Sequence, residues 1–168
     1  ERAAYATRQG PIYLWDIEQE REITHLAGWP GQSFVEFSSD GKFLAAVAAG
    51  KGLKVWDLAK RQEVATLTKS AATPYLNPIF ATNDEAVAVG NTDGTVEVWD
   101  LLRKEHVANW KVCNSAVAGV AFMPDGKRLV TVSDDCKAIL WELETQQKAP
   151  RKFLSFGRAK NAFFSFAV

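Results

Sequence analysis

Four aromatic–acidic pairs recur along this chain at a nearly fixed interval, and that interval governs what the chain can fold into. The pairs are Trp15–Asp16, Trp56–Asp57, Trp99–Asp100 and Trp141–Glu142, separated by 41, 43 and 42 residues. Each tryptophan closes a short β-type run (PIYLW, GLKVW, TVEVW, KAILW). Each acidic residue is followed by an aliphatic one: Ile17, Leu58, Leu101 or Leu143. A second marker keeps the same step, since Phe37, Phe80, Phe122 and Phe164 lie 43, 42 and 42 residues apart. Self-similarity at a period of roughly 20–50 residues marks stacked supersecondary units, none of which can bury its apolar face alone.

Within a unit the pattern is that of strands. Ser39-Asp40-Gly41 and Pro124-Asp125-Gly126 are tight-turn signals, and each precedes an apolar run, FLAAVAA or RLVTVS. The third unit carries Asn83-Asp84-Glu85 at this place and lacks the glycine. The tryptophan run follows, then a polar stretch, then a further run such as EVATL. That makes four strands of about 5–6 residues per unit. In TVEVW, Val96 and Val98 share one face while Glu97 and Trp99 share the other. Helical periodicity is weak throughout, so the expected fold class is all-β.

A strand-turn-strand unit with Asp-Gly in the turn, followed by a strand ending in Trp-Asp, resembles the WD40 repeat. The best-matching segments are SFVEFSSDGKFLAAVAAGKGLKVWDL and AGVAFMPDGKRLVTVSDDCKAILWEL, and the resemblance covers essentially the whole chain. It implies a β-propeller of four-stranded antiparallel blades, with four blades' worth of strands over residues 1–168. The repeats are expected to end near residues 17, 58, 101 and 143. Residues 144–168 are expected to supply the outer and innermost strands of a further blade. AAYAT reads as a second strand and KNAFFSFAV as an innermost one, so the first blade lacks its innermost strand. A partial propeller, half of a dimeric ring and a four-bladed ring all fit this phase.

The sequence departs from the family pattern at two sets of positions. The family carries a histidine nine residues before the strand phenylalanine, where this chain has Gly28, Ala71, Cys113 and Ser155. The family also favours an aspartate six residues before the tryptophan, where this chain has Gln9, Gly50, Asp93 and Asp135. The family's buried hydrogen-bond network therefore cannot close. Asp93 and Asp135 are expected to cap their turns instead, and apolar stacking between blades is expected to hold the fold.

Composition limits the functional classes. Twenty basic and 20 acidic side chains cancel, so no net charge draws the chain to nucleic acid or anionic membrane. No apolar run reaches the roughly 20 residues of a membrane span, and ERAAYATRQG has no signal-peptide core. Cys113 and Cys136 read as free buried thiols of a reducing compartment, which points to the cytoplasm. The histidines, His25 and His106, lie near outer-strand runs. Gly31-Gln32-Ser33 begins like a nucleophile elbow but lacks the closing glycine. Asn91-Thr92-Asp93-Gly94 lacks the later ligands of a calcium loop and reads as a two-residue hairpin turn. No cofactor, metal site or enzymatic activity is expected. Lys148, Arg151, Lys152, Arg158 and Lys160, with Phe153 and Phe156 between them, read as an outer strand guarding an edge rather than a nucleic-acid patch.

The resemblance implies that a protein or peptide partner meets the loops before the innermost strands. The candidate partner-binding residues there are Trp29, Tyr75, Asn114, Arg158 and Lys160. Trp29 is the sharpest, because the repeat does not require it. It reads equally as an interface anchor or as filler for the gap left by the missing histidine. Trp110 is expected in an outer strand, packed on the next blade. The resulting expectation is a non-catalytic interaction scaffold, with self-association as one way to complete a ring. The alternatives are a regulatory or sensor segment of a larger multidomain signalling protein and, further back, a propeller enzyme or metal-binding module.

Overall fold

The computed structural model describes residues 1–31, 33–67, 74, 77–133, 137–143 and 152–155. All regular structure among them is β. The strands are β1 (Arg2–Ala6), β2 (Pro11–Asp16), β3 (Arg21–Ala27), β4 (Ser33–Phe37), β5 (Phe43–Ala48), β6 (Gly52–Asp57), β7 (Gln62–Leu67), β8 (Ile79–Phe80), β9 (Ala86–Gly90), β10 (Thr95–Asp100), β11 (Glu105–Lys111), β12 (Val117–Phe122), β13 (Arg128–Ser133), β14 (Lys137–Glu142) and β15 (Lys152–Ser155).

Short connections make each unit a meander. The first sheet is β1-β2-β3, the second β4 to β7, the third β8 to β11 and the fourth β12 to β15, each antiparallel and in chain order. These four sheets are the blades expected from the repeat. The first has three strands. Ala3 stands opposite Trp15 just as Leu44 stands opposite Trp56, so β1 holds the second-strand place. The innermost strand expected around Phe164 lies outside the described residues. Strand β8 is cut to two residues and follows Pro78, which has no N–H to give the ladder.

The Trp-Asp pairs act locally in two ways. The ladder slips by a residue at Trp15, Trp56 and Trp99, turning each indole onto one face of its sheet. The following aspartate then caps the outer turn. Asp16 accepts the Glu18 and Gln19 N–H groups at 3.0 and 3.1 Å, Asp57 accepts Lys60 N–H at 3.0 Å, and Asp100 accepts Arg103 N–H at 2.9 Å. The turn between the first two strands of a unit is equally regular. Gly41 and Gly126 take φ of 68° and 66°, and Asp84 takes the same left-handed place at 55°. The Asp84 carboxylate accepts Ser39 N–H at 3.0 Å and Asp40 N–H at 3.4 Å, which ties the third sheet's turn to the second's.

The core is three clusters, each shared by two consecutive sheets. Ile12, Leu14 and Leu26 meet Leu44, Ala46 and Trp56. Ala45, Val47, Leu53 and Val55 meet Phe80, Val87, Val89 and Trp99. Val96, Val98 and Trp110 meet Val120, Phe122, Leu129, Ile139 and Trp141. Strand alternation explains the division, because neighbouring residues of one strand serve different clusters. Burial of each large side chain contributes about 1.5–3 kcal/mol, so these clusters supply the apolar stacking expected between blades. Trp110 stacks on Trp141 at 4.8 Å and 9°, across the sheet boundary as expected. One fragment of a polar network survives: Trp141 Nε1–H donates to Thr131 Oγ1 at 2.9 Å. Trp99 Nε1 is buried and has no acceptor among the described residues; Val89 stands where the fourth sheet has Thr131.

Candidate functional site

Antiparallel meanders send alternate connections to opposite ends of the blades. The β3–β4 and β11–β12 connections and the β9–β10 turn share one end, here the loop end. The β4–β5, β6–β7, β8–β9 and β10–β11 turns share the other, the turn end.

At the loop end, Trp29 is half-buried. The Lys54 ammonium lies 5.2 Å from its ring centre and 6.0 Å from that of Trp56. The same ammonium donates to the Ala27 carbonyl at 3.3 Å and to Glu63 Oε2 at 2.9 Å. Only 15% of the Lys54 side chain is exposed, so a nearly desolvated cation is held by two aromatic faces, a carbonyl and a carboxylate. Burial pushes the Glu63 carboxyl up, but hydrogen bonds from Thr66 and Lys54 outweigh it and hold the group below its ordinary value. The contact fits the reading of Trp29 as gap filler, and the residue is only partly exposed.

The neighbouring backbone explains why the family histidine is missing here. A Cβ at Gly28 would meet the Gly10 carbonyl oxygen at 2.4 Å and the Ile12 side chain at 2.9 Å. No side chain fits, least of all an imidazole. Cys113 occupies the matching place before β12, buried and free, with its thiol donating to the Ser115 carbonyl at 2.9 Å. Asp93 caps its turn by accepting Thr95 N–H at 2.9 Å and Thr95 Oγ1–H at 2.6 Å. The loop of that hairpin is one residue longer than expected. Thr92, Asp93 and Gly94 separate Asn91 from its partner Thr95, because Gly94 at φ 84° adds a left-handed step. Gly94 must be glycine also because a Cβ would strike the Cys113 and Ser115 carbonyls at 2.3 and 2.4 Å.

Of the other candidates, Asn114 is exposed in the connection before β12. Trp29 belongs to the connection between the first and second sheets and Asn114 to that between the third and fourth, so they share an end without adjoining. Tyr75, Arg158 and Lys160 lie outside the described residues, as do Ala71, Asp135 and Cys136. The histidines are held by ordinary contacts: His25 Nδ1 lies 3.4 Å from Glu22, and His106 meets the Trp99 ring edge-on at 5.4 Å. Among the described residues no group of three or more His, Cys, Asp or Glu side chains is placed to hold a metal ion. Nor is any helix among them long and apolar enough to cross a membrane.

One feature of the turn end escaped the sequence reading. A groove of about 480 Å³ opens between the second and third sheets, lined by Phe43, Val55, Val64, Ala65, Leu101 and Leu102 and edged by Lys42, Lys104 and three carboxylates. Leu102 is 71% exposed. The signal was present in the sequence, since the matching turn positions three residues after Trp15 and Trp56 carry Glu18 and Ala59.

The sheets and their stacking define a run of propeller-type blades, and comparison with known families places it more closely. The family described as WD domain, G-beta repeat matches this chain at residues 20–57 and 104–142, each match running from an outer strand through the next tryptophan. A BTB/POZ domain and WD-repeat protein of Acanthamoeba polyphaga mimivirus is 29% identical over 135 residues, covering 79% of this chain and 27% of that protein. Nuclear distribution protein PAC1 of Arthroderma otae is 25% identical over 173 residues, covering 85% of this chain and 36% of that protein. PAC1 of Coccidioides posadasii is 27% identical over 176 residues, covering 88% and 36%. The chain thus spans 36% or less of the length of these curated relatives.

Proposed function

We propose that this chain is a non-catalytic interaction scaffold whose loop end receives a protein or peptide, with Trp29, Tyr75, Asn114, Arg158 and Lys160 as its contact residues. The observation that carries the reading is Trp29. The repeat does not call for it, yet Lys54 and the backbone around Gly28 fix it at the loop end. A rigid, partly exposed aromatic buries area on binding and loses few rotamers. The WD40 repeats supply the general role, that of holding other proteins. Free cysteine and balanced charge fit a cytoplasmic setting.

The short share of each relative that this chain covers favours a second reading, in which the scaffold is a regulatory segment of a larger protein. Self-association has its own support. The outer face of the first sheet presents Tyr5, 49% exposed and stacked on Tyr13 at 5.2 Å, a surface that another sheet would cover. The test of the main reading is affinity capture with the parent chain and with Trp29→Ala, bound polypeptides being identified by mass spectrometry. Polypeptides retained by the parent and lost with Trp29→Ala are expected. Identical capture by the two chains removes Trp29 from the binding surface, and turnover in a substrate screen defeats the scaffold reading.

A further inference from the structure

The turn-end groove is independent of Trp29 and lies at the opposite end of the blades. Its floor is the open edge of the cluster between the second and third sheets: Val55 and Ala65 are buried, and Phe43, Val64 and Leu101 pack on them. Its volume of about 480 Å³ falls in the range of roughly 300–1,000 Å³ typical of ligand clefts. Small-molecule clefts set a few polar groups among the apolar ones. Here every charged group sits on the rim, an arrangement of apolar centre and polar surround that belongs to protein interfaces. Leu102 stands on one lip almost wholly in solvent, at a turn tip where the other described units place Glu18 and Ala59.

The rim charges select the partner. Lys42 is neutralised by Asp40 at 2.6 Å. Among the described residues, Asp84 accepts the backbone N–H groups of Ser39 and Asp40, and Glu85 accepts the Asn83 amide. Three carboxylates against two ammonium groups, those of Lys42 and Lys104, leave the rim with one net negative charge. That charge is concentrated on the β8–β9 turn, at Asp84 and Glu85. We propose that the groove between the second and third sheets docks a segment of a partner protein that inserts an aliphatic or aromatic side chain beside a lysine or arginine. The apolar side chain covers Leu102 and fills the floor over Val64 and Phe43. The cationic neighbour meets Asp84 and Glu85. This site goes beyond the loop-end reading and does not depend on it.

A random-peptide phage library panned against the chain tests the proposal. The enriched peptides, fluorescein-labelled, are then titrated by fluorescence anisotropy. Leu102→Asp changes only an exposed side chain and Glu85→Arg reverses only a rim charge, so both variants are expected to fold, with far-UV circular dichroism as the check. Enriched peptides are expected to pair Leu, Ile or Phe with an adjacent Lys or Arg. Each variant is expected to weaken binding by about tenfold or more, and Trp29→Ala to leave it within about twofold. Failure to enrich any such peptide overturns the proposal. So does binding that Leu102→Asp leaves intact. Peptides lost only with Trp29→Ala assign recognition to the loop end and equally overturn the groove.

Discussion

Replacing Thr131 by valine removes one oxygen and tests how the fold tolerates its broken polar network. Thr131 is 1% and Trp141 5% exposed, and the indole N–H donates to the hydroxyl at 2.9 Å. Taking away the acceptor strands a buried donor, which costs about 1–3 kcal/mol. Part of this is offset, since a buried methyl in place of the hydroxyl contributes about 0.8 kcal/mol. The expected net loss is up to about 2 kcal/mol, or a melting temperature lower by up to about 8 °C for a chain of this size. Urea unfolding followed by tryptophan fluorescence and by circular dichroism measures it, with agreement of the two probes as the check on two-state behaviour. In a Trp141→Phe background the hydroxyl has lost its donor, so Thr131→Val is expected to be neutral or stabilising, with a coupling of about 1–2 kcal/mol between the sites. The third sheet offers the reciprocal change. Trp99 Nε1 is unsatisfied and Val89 holds the register place of Thr131, so Val89→Thr is expected to supply an acceptor. It is expected to stay within about 0.5 kcal/mol of the parent, whereas a buried valine-to-threonine change with no donor in reach costs about 1–3 kcal/mol. If Thr131→Val costs nothing in the parent chain and the cycle is additive, the hydrogen bond contributes no stability and the reasoning fails.

Gly28→Ala is expected to cost more than about 2 kcal/mol in urea unfolding, because its Cβ meets a carbonyl oxygen at 2.4 Å; Gly28→His, which restores the family residue, destabilises as well. Lys54→Met removes the cation between Trp29 and Trp56 and the pair with Glu63, and is expected to cost about 1 kcal/mol by thermal melting and to shift tryptophan emission. Asp40, Asp57 and Asp125 are held below the ordinary carboxylate value, mainly by the Lys42 side chain, the Lys60 N–H and the Lys127 N–H respectively. As pH falls, the unfolded chain takes up protons first, so the stability these groups add is full above about pH 4 and is lost progressively below it. Unfolding midpoints measured down this range are expected to fall less steeply in Asp57→Asn than in the parent.

The period was legible because it rests on bulky residues with one role each. Trp56, Trp99 and Trp141 fill the gap to the preceding sheet, and Phe80 and Phe122 join the same clusters, so both markers track the stacking step. The second-strand place of β1 in the three-stranded first sheet followed from the same phase. The cause of the missing histidine was not legible, because it depends on how closely the Gly10 carbonyl passes Gly28, a distance no spacing encodes. The third unit's turn lacks the glycine and matches the repeat less well, but the Asp84 carboxylate bonds to a turn 44 and 45 residues away, a contact that only the stacked sheets create. The environment of Trp29 was half legible. Its surplus to the repeat stood out, while Lys54, which comes from another strand, did not. The turn-end groove stayed hidden because its lining is gathered from five separate stretches of the chain.

Among the described residues, each cluster of the core is shared by two sheets and by no third. Substitutions within one cluster can therefore be compensated within that pair, while more distant sheets register nothing. Such a chain can drift piecemeal: one unit keeps a threonine for its indole, another closes around a glycine, a third trades a turn glycine for aspartate, and the stack persists. The modest identity between this chain and its relatives is the record such an architecture would leave, since selection has to preserve the step from sheet to sheet and little else.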